Sequence, residues 1–115
     1  MGNCTVAIKK RTGNAVSGKV IVADITMSTS YATGGDTVPL ASLELSAIDA
    51  LMLSGNSGGY TMEVVHGAAP TTAPKIKLYE DKVTAASTPL SEEANATNVA
   101  TIVVRAIAYG DNPHV

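Results

Sequence analysis

The chain has 115 residues and a formal net charge of −2, with 8 basic and 10 acidic side chains. This length fits one domain, and an apolar fraction of 45% predicts a folded chain rather than a disordered one. There is no basic excess to neutralise phosphates, and four tyrosines are the only aromatic residues, so we expect no nucleic-acid partner. No apolar stretch approaches the roughly 20 residues that span a bilayer, and we expect no membrane partner.

The N-terminal segment 1–18 contains a short apolar alternation, Val6 and Ile8, among Lys, Thr, Asn and Gly residues. Two interpretations stand side by side: a first strand of the chain's own sheet, or an arm that extends from a domain spanning 19–115. An arm could contact acidic residues of a neighbouring protein through a short basic run. The residues of that run are Lys9, Lys10 and Arg11.

The elements of the first half follow from apolar spacing and turn residues. Residues 19–25 are a β-branched run, typical of a central strand that is buried on both faces. Residues 30–37 carry paired glycines and no hydrophobic period, which predicts a loop. Residues 38–45 place two leucines three apart behind a proline, so one or two helical turns are expected. Residues 46–53 fit a helix or a strand, and we favour a strand because the glycine-rich run 54–59 is typical of a hairpin connection.

In the second half, residues 60–66 alternate between apolar and polar side chains, which predicts a strand. Residues 67–74 are rich in Ala, Pro and Thr and should interrupt the sheet. Residues 75–80 alternate lysines outward with Ile and Leu inward, the pattern of a half-exposed strand. Residues 81–98 are expected to be a long excursion with little regular structure, and residues 100–109 are the strongest predicted strand.

About seven short strands separated by Gly and Pro turns predict an all-β chain, either an antiparallel sandwich or a small barrel. We expect long loops and at most one short helix. The alternation in the three clearest strands predicts these core residues: Val20, Val22, Ile25, Leu78, Ile102 and Val104.

Residues 55–59 match the glycine-flanked serine pattern of some hydrolases, with Ser57 in the nucleophile position. One hydrolase class needs a helix after the serine, where this chain has a predicted strand. The trypsin-like class needs a histidine upstream, whereas His66 and His114 both lie downstream. We therefore expect no catalytic role for Ser57, because a turn that needs glycines explains the same residues.

Other chemistry-bearing residues predict no site. The single cysteine, Cys4, cannot form an internal disulfide, and neither it nor the two histidines has partners at metal-ligand spacing. No metal or other cofactor is therefore expected. The paired carboxylates Glu80-Asp81 and Glu92-Glu93 are expected to be solvated surface groups, since neighbours on a strand point to opposite faces. Gly34-Gly35 is not followed by the residues of a phosphate loop.

Six segments match, in order, a set of motifs found in one family of proteins. The motifs are Ser-Tyr-x-Thr-Gly-Gly with an acidic residue next, a Pro/Leu-rich turn, Gly-Gly-Tyr entering a strand, a basic alternating strand ending in Tyr, Glu-x-Ala-Asn-x-Thr, and a final strand closing in Ala-Tyr-Gly. The matching segments here are 30–38, 40–45, 58–60, 75–79, 93–97 and 106–110. Because the six segments occur in the same order as the motifs, the chain resembles the capsid decoration (cement) proteins of tailed bacteriophages.

The resemblance implies a β-sandwich of jelly-roll or related type and no enzymatic activity. It implies a viral structural protein that lies on the outer surface of the capsid, assembled in the host cytoplasm, and joins neighbouring capsomers. The implied partners are the major capsid protein and further copies of the chain, with a trimer favoured over a dimer. The chain departs from the family at 62–65, where relatives carry more aromatic residues, and at 67–74. In this interpretation the basic run at residues 9–11 supplies candidate capsid contacts.

Two alternatives remain open. Another virion component, such as a head-completion or tail protein, would also be rich in strands. A small ligand-binding or carbohydrate-binding β module would share the fold, although sugar platforms usually need exposed Trp or Tyr and this chain has only four tyrosines.

Overall fold

The computed structural model describes residues 2–14, 18–57, 60–80 and 91–111. These ranges contain eight strands, with one 3-10 turn at Ala41–Leu43 within the predicted helical stretch. The strands are β1 (Thr5–Asn14), β2 (Gly18–Thr26), β3 (Asp36–Thr37), β4 (Ala47–Asn56), β5 (Thr61–Val65), β6 (Lys75–Glu80), β7 (Ser91–Glu92) and β8 (Val103–Asp111). The all-β prediction is confirmed, and the ambiguous stretch at 46–53 forms a strand as favoured.

The strands form two antiparallel sheets. The first has the order β1-β2-β8-β4, and the second has the order β3-β6-β5 with β7 also paired to β6. From β2 to β5 the chain alternates between the sheets, and β5, β6 and β7 then all lie in the second sheet before β8 returns to the first. β2 pairs with β8, and the next strand, β3, pairs with β6. This winding is jelly-roll-like. Buried side chains of both sheets belong to one core, which makes the fold sandwich-like as predicted.

The predicted hairpin at 54–59 is wrong. β4 pairs with β8 in the first sheet, whereas β5 pairs with β6 in the second. The glycine-rich connection therefore joins strands of different sheets. A glycine-rich run marks a change of chain direction, but it does not say whether the next strand pairs with the previous one or faces it across the core.

The prediction that β2 is buried on both faces is also wrong. Ile21, Ala23 and Ile25 are buried, whereas the alternate residues Val20 and Val22 are only partly covered. A β-branched run supplies apolar side chains to both faces of a strand, but the second sheet covers one face only. The core prediction is therefore wrong for these two valines. It is confirmed at Ile25, Leu78, Ile102 and Val104.

The N-terminal segment is paired within the chain's own first sheet. β1 runs antiparallel to β2 from Thr5 opposite Thr26 to Asn14 opposite Gly18, with a bulge at Lys9. Ahead of β1, the N–H of Cys4 donates to the carbonyl of Thr37 at 2.8 Å, so the segment also contacts the second sheet through β3. Of the two interpretations, the described residues adopt the strand and not the extended arm.

The excursion at 81–98 is described only in part, since residues 81–90 lie outside the described ranges. Its end contains β7, a two-residue strand that the sequence did not predict because two residues show no periodicity. The loop expected at 30–37 is present up to the short strand β3, and β6 buries Ile76 and Leu78 as predicted. β8 begins at Val103, three residues later than expected.

Candidate functional site

Tyrosine and carboxylate side chains join two loops to the edge of the second sheet. One loop precedes β3 and covers residues 28–35, and the other follows β7 and covers residues 93–98. We call this group the tyrosine–carboxylate cluster. Its members are Tyr31, Asp36, Tyr60, Glu92 and Glu93.

Tyr31 lies at the centre of the cluster, and its side chain is fully buried. Its hydroxyl accepts a hydrogen bond from the backbone N–H of Leu78 at 3.1 Å and donates one to Oε2 of Glu92 at 2.7 Å. The phenol hydroxyl thus accepts the hydrogen bond that a neighbouring strand would otherwise accept from β6. This position lies between the residues of β6 that pair with β3 and those that pair with β7. Burial, together with the nearby carboxylates, raises the pKa of the Tyr31 phenol.

The backbone of Tyr31 binds the second loop directly. Its N–H donates to the carbonyl of Thr97 at 2.8 Å, and its carbonyl accepts from the N–H of Ala96 at 2.7 Å. Ala96 has φ = 68°, a left-handed conformation that costs a non-glycine residue about 1–2 kcal/mol. The two loops are therefore held together by backbone as well as side-chain hydrogen bonds.

Glu92 accepts a second hydrogen bond, from the N–H of Gly34 at 2.7 Å, and its Oε1 lies 4.0 Å from Nζ of Lys77. Gly34 and Gly35 have φ values of 96° and 114°, which L side chains rarely adopt, so the paired glycines allow this turn. Burial alone would raise the pKa of Glu92. The hydrogen bonds from Tyr31 and Gly34 and the charge of Lys77 outweigh burial, so the pKa lies below its usual value.

Glu93 is buried, with 7% of its surface exposed. Its Oε2 accepts a hydrogen bond from the hydroxyl of Tyr60 at 2.8 Å, and its Oε1 accepts one from the N–H of Ala94 at 2.8 Å. The prediction that Glu92 and Glu93 are solvated surface groups is therefore wrong. The two side chains do point to opposite faces, as strand alternation predicts. On each face, however, the carboxylate meets the hydroxyl of a tyrosine from a distant part of the chain.

Asp36 is fully buried and was not singled out in the sequence. Its two carboxylate oxygens accept backbone hydrogen bonds, from the N–H of Ser28 and the N–H of Ala32, each at 3.0 Å. The side chain thereby closes the loop that begins after β2. The sequence offered only its place after the paired glycines in the first motif, which does not indicate hydrogen bonds to residues four and eight positions earlier.

The cluster joins the two loops through hydrogen bonds. Its carboxylates accept hydrogen bonds from phenols and backbone N–H groups, which fixes both loops. The exposed tip contains Thr33, whose N–H donates to Oδ1 of Asn95 at 3.2 Å, and the exposed residues Ala94 and Ala96. A rigid, mostly uncharged tip suits contact with another macromolecule, because little conformational entropy is lost on binding.

Ser57 has a structural environment. Its hydroxyl accepts a hydrogen bond from the N–H of Val103 at 3.1 Å and donates one to the carbonyl of Thr101 at 3.3 Å. Both bonds tie the end of β4 to the start of β8. His66 is exposed just after β5, and His114 lies outside the described residues.

The basic run lies on β1, and two of its members face carboxylates of the same chain. Arg11 donates two hydrogen bonds to Glu44, at 2.6 and 2.8 Å, which lower the pKa of Glu44 to about 2. Nζ of Lys9 lies 3.9 Å from Asp24, and Lys10 is exposed. The sequence did not anticipate these internal pairs, because Glu44 is 33 residues from Arg11. A role in capsid contact for these three residues stays a prediction.

Cys4 is buried beside Met27, with a distance of 3.9 Å between the two sulfur atoms. Burial, and next the charge of Asp36, raises the pKa of the thiol to about 12. Within the described ranges, no group of three His, Cys, Asp or Glu side chains is arranged to hold a metal ion.

Two cavities, of about 190 and 230 Å³, lie outside the cluster. Both are smaller than the roughly 300–1,000 Å³ of typical sites for drug-sized ligands. In the part of the chain that the structure describes, no helix has the length and apolar character to cross a membrane. Comparison of the chain with protein-family models, curated proteins and solved structures gives no match.

Proposed function

We propose that the chain is a non-enzymatic viral structural protein that binds the outer surface of an assembled phage capsid and joins neighbouring capsomers. The major capsid protein is the proposed partner, and the virion surface is the proposed location. The proposal starts from the ordered sequence motifs shared with capsid decoration proteins.

One structural observation supports the proposal most. Four of the six segments that carry the resemblance, although far apart in sequence, meet in the tyrosine–carboxylate cluster. Tyr31 and Asp36 come from the first of these segments, Tyr60 from the third and Leu78 from the fourth, while Glu93 opens the fifth. Motifs that are separate in sequence but hydrogen-bonded in space form one unit, which makes their joint occurrence more informative than any one of them.

The physical requirements of a cement protein agree with such a unit. A protein that binds only the assembled lattice stabilises it by mass action, without any chemical step. Many copies on a symmetric shell gain strength from repetition, so each contact can be small if it is rigid. The exposed tip of the cluster, around Thr33 and Ala94, is therefore the proposed capsid contact.

The test measures co-sedimentation of the purified chain with assembled shells of the major capsid protein and, separately, with unassembled subunits. We expect binding to the shells only. Ala94→Arg adds bulk and charge at the exposed tip and should weaken binding at least about tenfold. Ala68→Arg is the matched control, because Ala68 is equally exposed but lies in the loop at the opposite end of β5 and β6. It should bind as the parent does.

A third variant, Lys10→Glu, examines the basic run. If it abolishes binding while Ala94→Arg does not, the contact lies at the basic run rather than at the tip. If the parent chain binds neither shells nor subunits, the proposed function is wrong.

A further inference from the structure

The first sheet has an outer face, opposite the core, that carries two adjacent rows of apolar side chains. The strand register aligns these rows across β2, β8 and β4. One row is Val22, Ile107 and Met52, and the next is Val20, Tyr109 and Ala50.

This outer face is separate from the core. The buried cluster contains alternate residues of the same strands, such as Ile21, Ala106 and Leu51, and none of the six outer residues. Met52 is 58% exposed and Tyr109 is 42% exposed. The other four residues are partly exposed. Single exposed apolar residues are ordinary, but contiguous rows of exposed and partly exposed apolar side chains are unusual for a surface that stays in water. The sequence of β2 is typical of a strand covered on both faces, and the second sheet covers only one.

A charged row borders the two apolar rows. Asp24 on β2 lies directly opposite Arg105 on β8, and Arg105 Nη2 donates to Asp24 Oδ2 at 3.3 Å. On the outer face, therefore, β2 contributes the acid and β8 the base at the same level along the strands. In the apolar rows, too, each outer residue of β2 lies directly opposite an outer residue of β8: Val22 lies opposite Ile107, and Val20 lies opposite Tyr109.

We propose that this outer face binds the same face of a second copy of the chain, around a two-fold axis that runs parallel to the strands between β2 and β8. The proposal goes beyond capsid binding and does not depend on it. Such a rotation keeps each residue at its level along the strands and exchanges β2 with β8. Asp24 of each copy then lies over Arg105 of the other, and Val22 lies over Ile107.

The same rotation exchanges the outer strands β1 and β4. Lys10, which pairs with Val22 at the edge of the sheet, is then opposite Met52 of the second copy. Among Lys10, Asp24 and Arg105, the rotation brings no two charges of like sign face to face. The exchange of Asp24 with Arg105 identifies a second copy as the occupant, because each of these two charges then meets its opposite on the other copy.

The size of the face agrees with a small stable interface. Four strands spaced about 4.8 Å apart and about 30 Å long give a flat area of roughly 570 Å². Specific interfaces begin at roughly 600 Å² for each partner, and side chains add to the flat area. Area alone does not set affinity, and for a face of this small size we expect a weak, reversible dimer that forms below about 100 µM.

The first experiment is sedimentation equilibrium of the full chain, which has a mass of 11.7 kDa. We expect two chains per particle at about 100 µM and dissociation on dilution. Met52→Lys puts a second lysine beside Lys10 and should weaken the dimer at least about tenfold. Val65→Lys is the matched control, because Val65 is an exposed apolar residue on β5 of the other sheet. It should leave the dimer unchanged.

The second experiment reverses charges. Asp24→Arg alone makes the Asp24–Arg105 pair wholly basic beside Lys9, and Arg105→Asp alone makes the pair wholly acidic, with Lys9 as its one basic neighbour on β1. Each variant should therefore be monomeric by itself. Because Arg105 is exposed and Asp24 is partly exposed on the outer face, each variant should keep its fold. An equimolar mixture should form a one-to-one dimer, since the rotation brings the basic row of one variant over the acidic row of the other.

Several outcomes would overturn the proposal. These are a parent chain that stays monomeric at about 100 µM, a trimer as the resemblance favours, or a dimer that Met52→Lys and Val65→Lys affect equally. Folded charge variants that do not associate on mixing would also overturn it. If a charge variant fails to fold, the Met52→Lys comparison decides alone.

Discussion

The hydroxyl of Tyr31 donates a 2.7 Å hydrogen bond to the carboxylate of Glu92, a residue 61 positions further along the chain. The same hydroxyl accepts a hydrogen bond from the N–H of Leu78. One phenol oxygen therefore joins the first loop, the central strand β6 of the second sheet and the segment that follows the excursion.

Tyr31→Phe is expected to destabilise the chain by about 2–4 kcal/mol, because it removes a bond to a charged group and leaves the N–H of Leu78 buried without an acceptor. Urea unfolding measures the loss. Tyr79→Phe is the control, since the Tyr79 hydroxyl donates to the exposed Glu63 at 2.9 Å. It should cost less than about 1 kcal/mol. Equal losses in the two variants would contradict the central position of Tyr31.

Glu92→Gln should change how stability depends on pH. The pKa of Glu92 is lower in the folded chain than in the unfolded one, because its hydrogen bonds outweigh burial. Its contribution is therefore complete above the unfolded pKa, about 4.3, and is lost as the pH falls through the folded value. The free energy of unfolding of the parent should exceed that of the variant by a constant amount above about pH 5.5, and by less below it. A difference that grows as the pH falls would contradict this assignment.

Asp36→Ala is expected to cost about 2–4 kcal/mol, since it leaves the N–H groups of Ser28 and Ala32 without their acceptors. Asp49→Ala removes an exposed carboxylate from β4 and should change stability by no more than about 0.5 kcal/mol. Thermal or urea unfolding compares the two. A loss in Asp36→Ala as small as that in the control would show that Asp36 does not close the loop.

The thiol of Cys4 should be unreactive while the chain is folded. Its pKa of about 12 keeps it protonated at pH 8, and burial excludes reagents. Reaction with a chromogenic disulfide should be at least about a hundredfold slower in buffer than in strong denaturant. Rapid reaction of the folded chain would mean that the N-terminal contact with β3 opens frequently.

The strands were predictable because alternation reports directly on local geometry. β6 and β8 bury the side chains that their patterns indicate, including Leu78 and Val104. The face of β2 was not predictable, because Val20 and Ile21 are equally apolar and only the position of the second sheet distinguishes them. Pattern gives the period of a strand, but the partner sheet decides which face is the core.

The cluster was not predictable for a different reason. Glu93 looks like a surface residue in its own segment, and its burial becomes favourable only when folding brings the hydroxyl of Tyr60 to its carboxylate. The pairing of Arg11 with Glu44 likewise depends on two segments that meet only in the folded chain. The motif order supplied the relevant segments, whereas the contacts among them needed the three-dimensional structure.

The measurement that tests the proposed function most directly is cryo-electron microscopy of purified virions that contain the chain. We expect density for this β-sandwich on the outside of the head, where capsomers meet, with the loops around Thr33 and Ala94 toward the shell. Density only in the neck or tail, or none on virions that otherwise retain their heads intact, would contradict it.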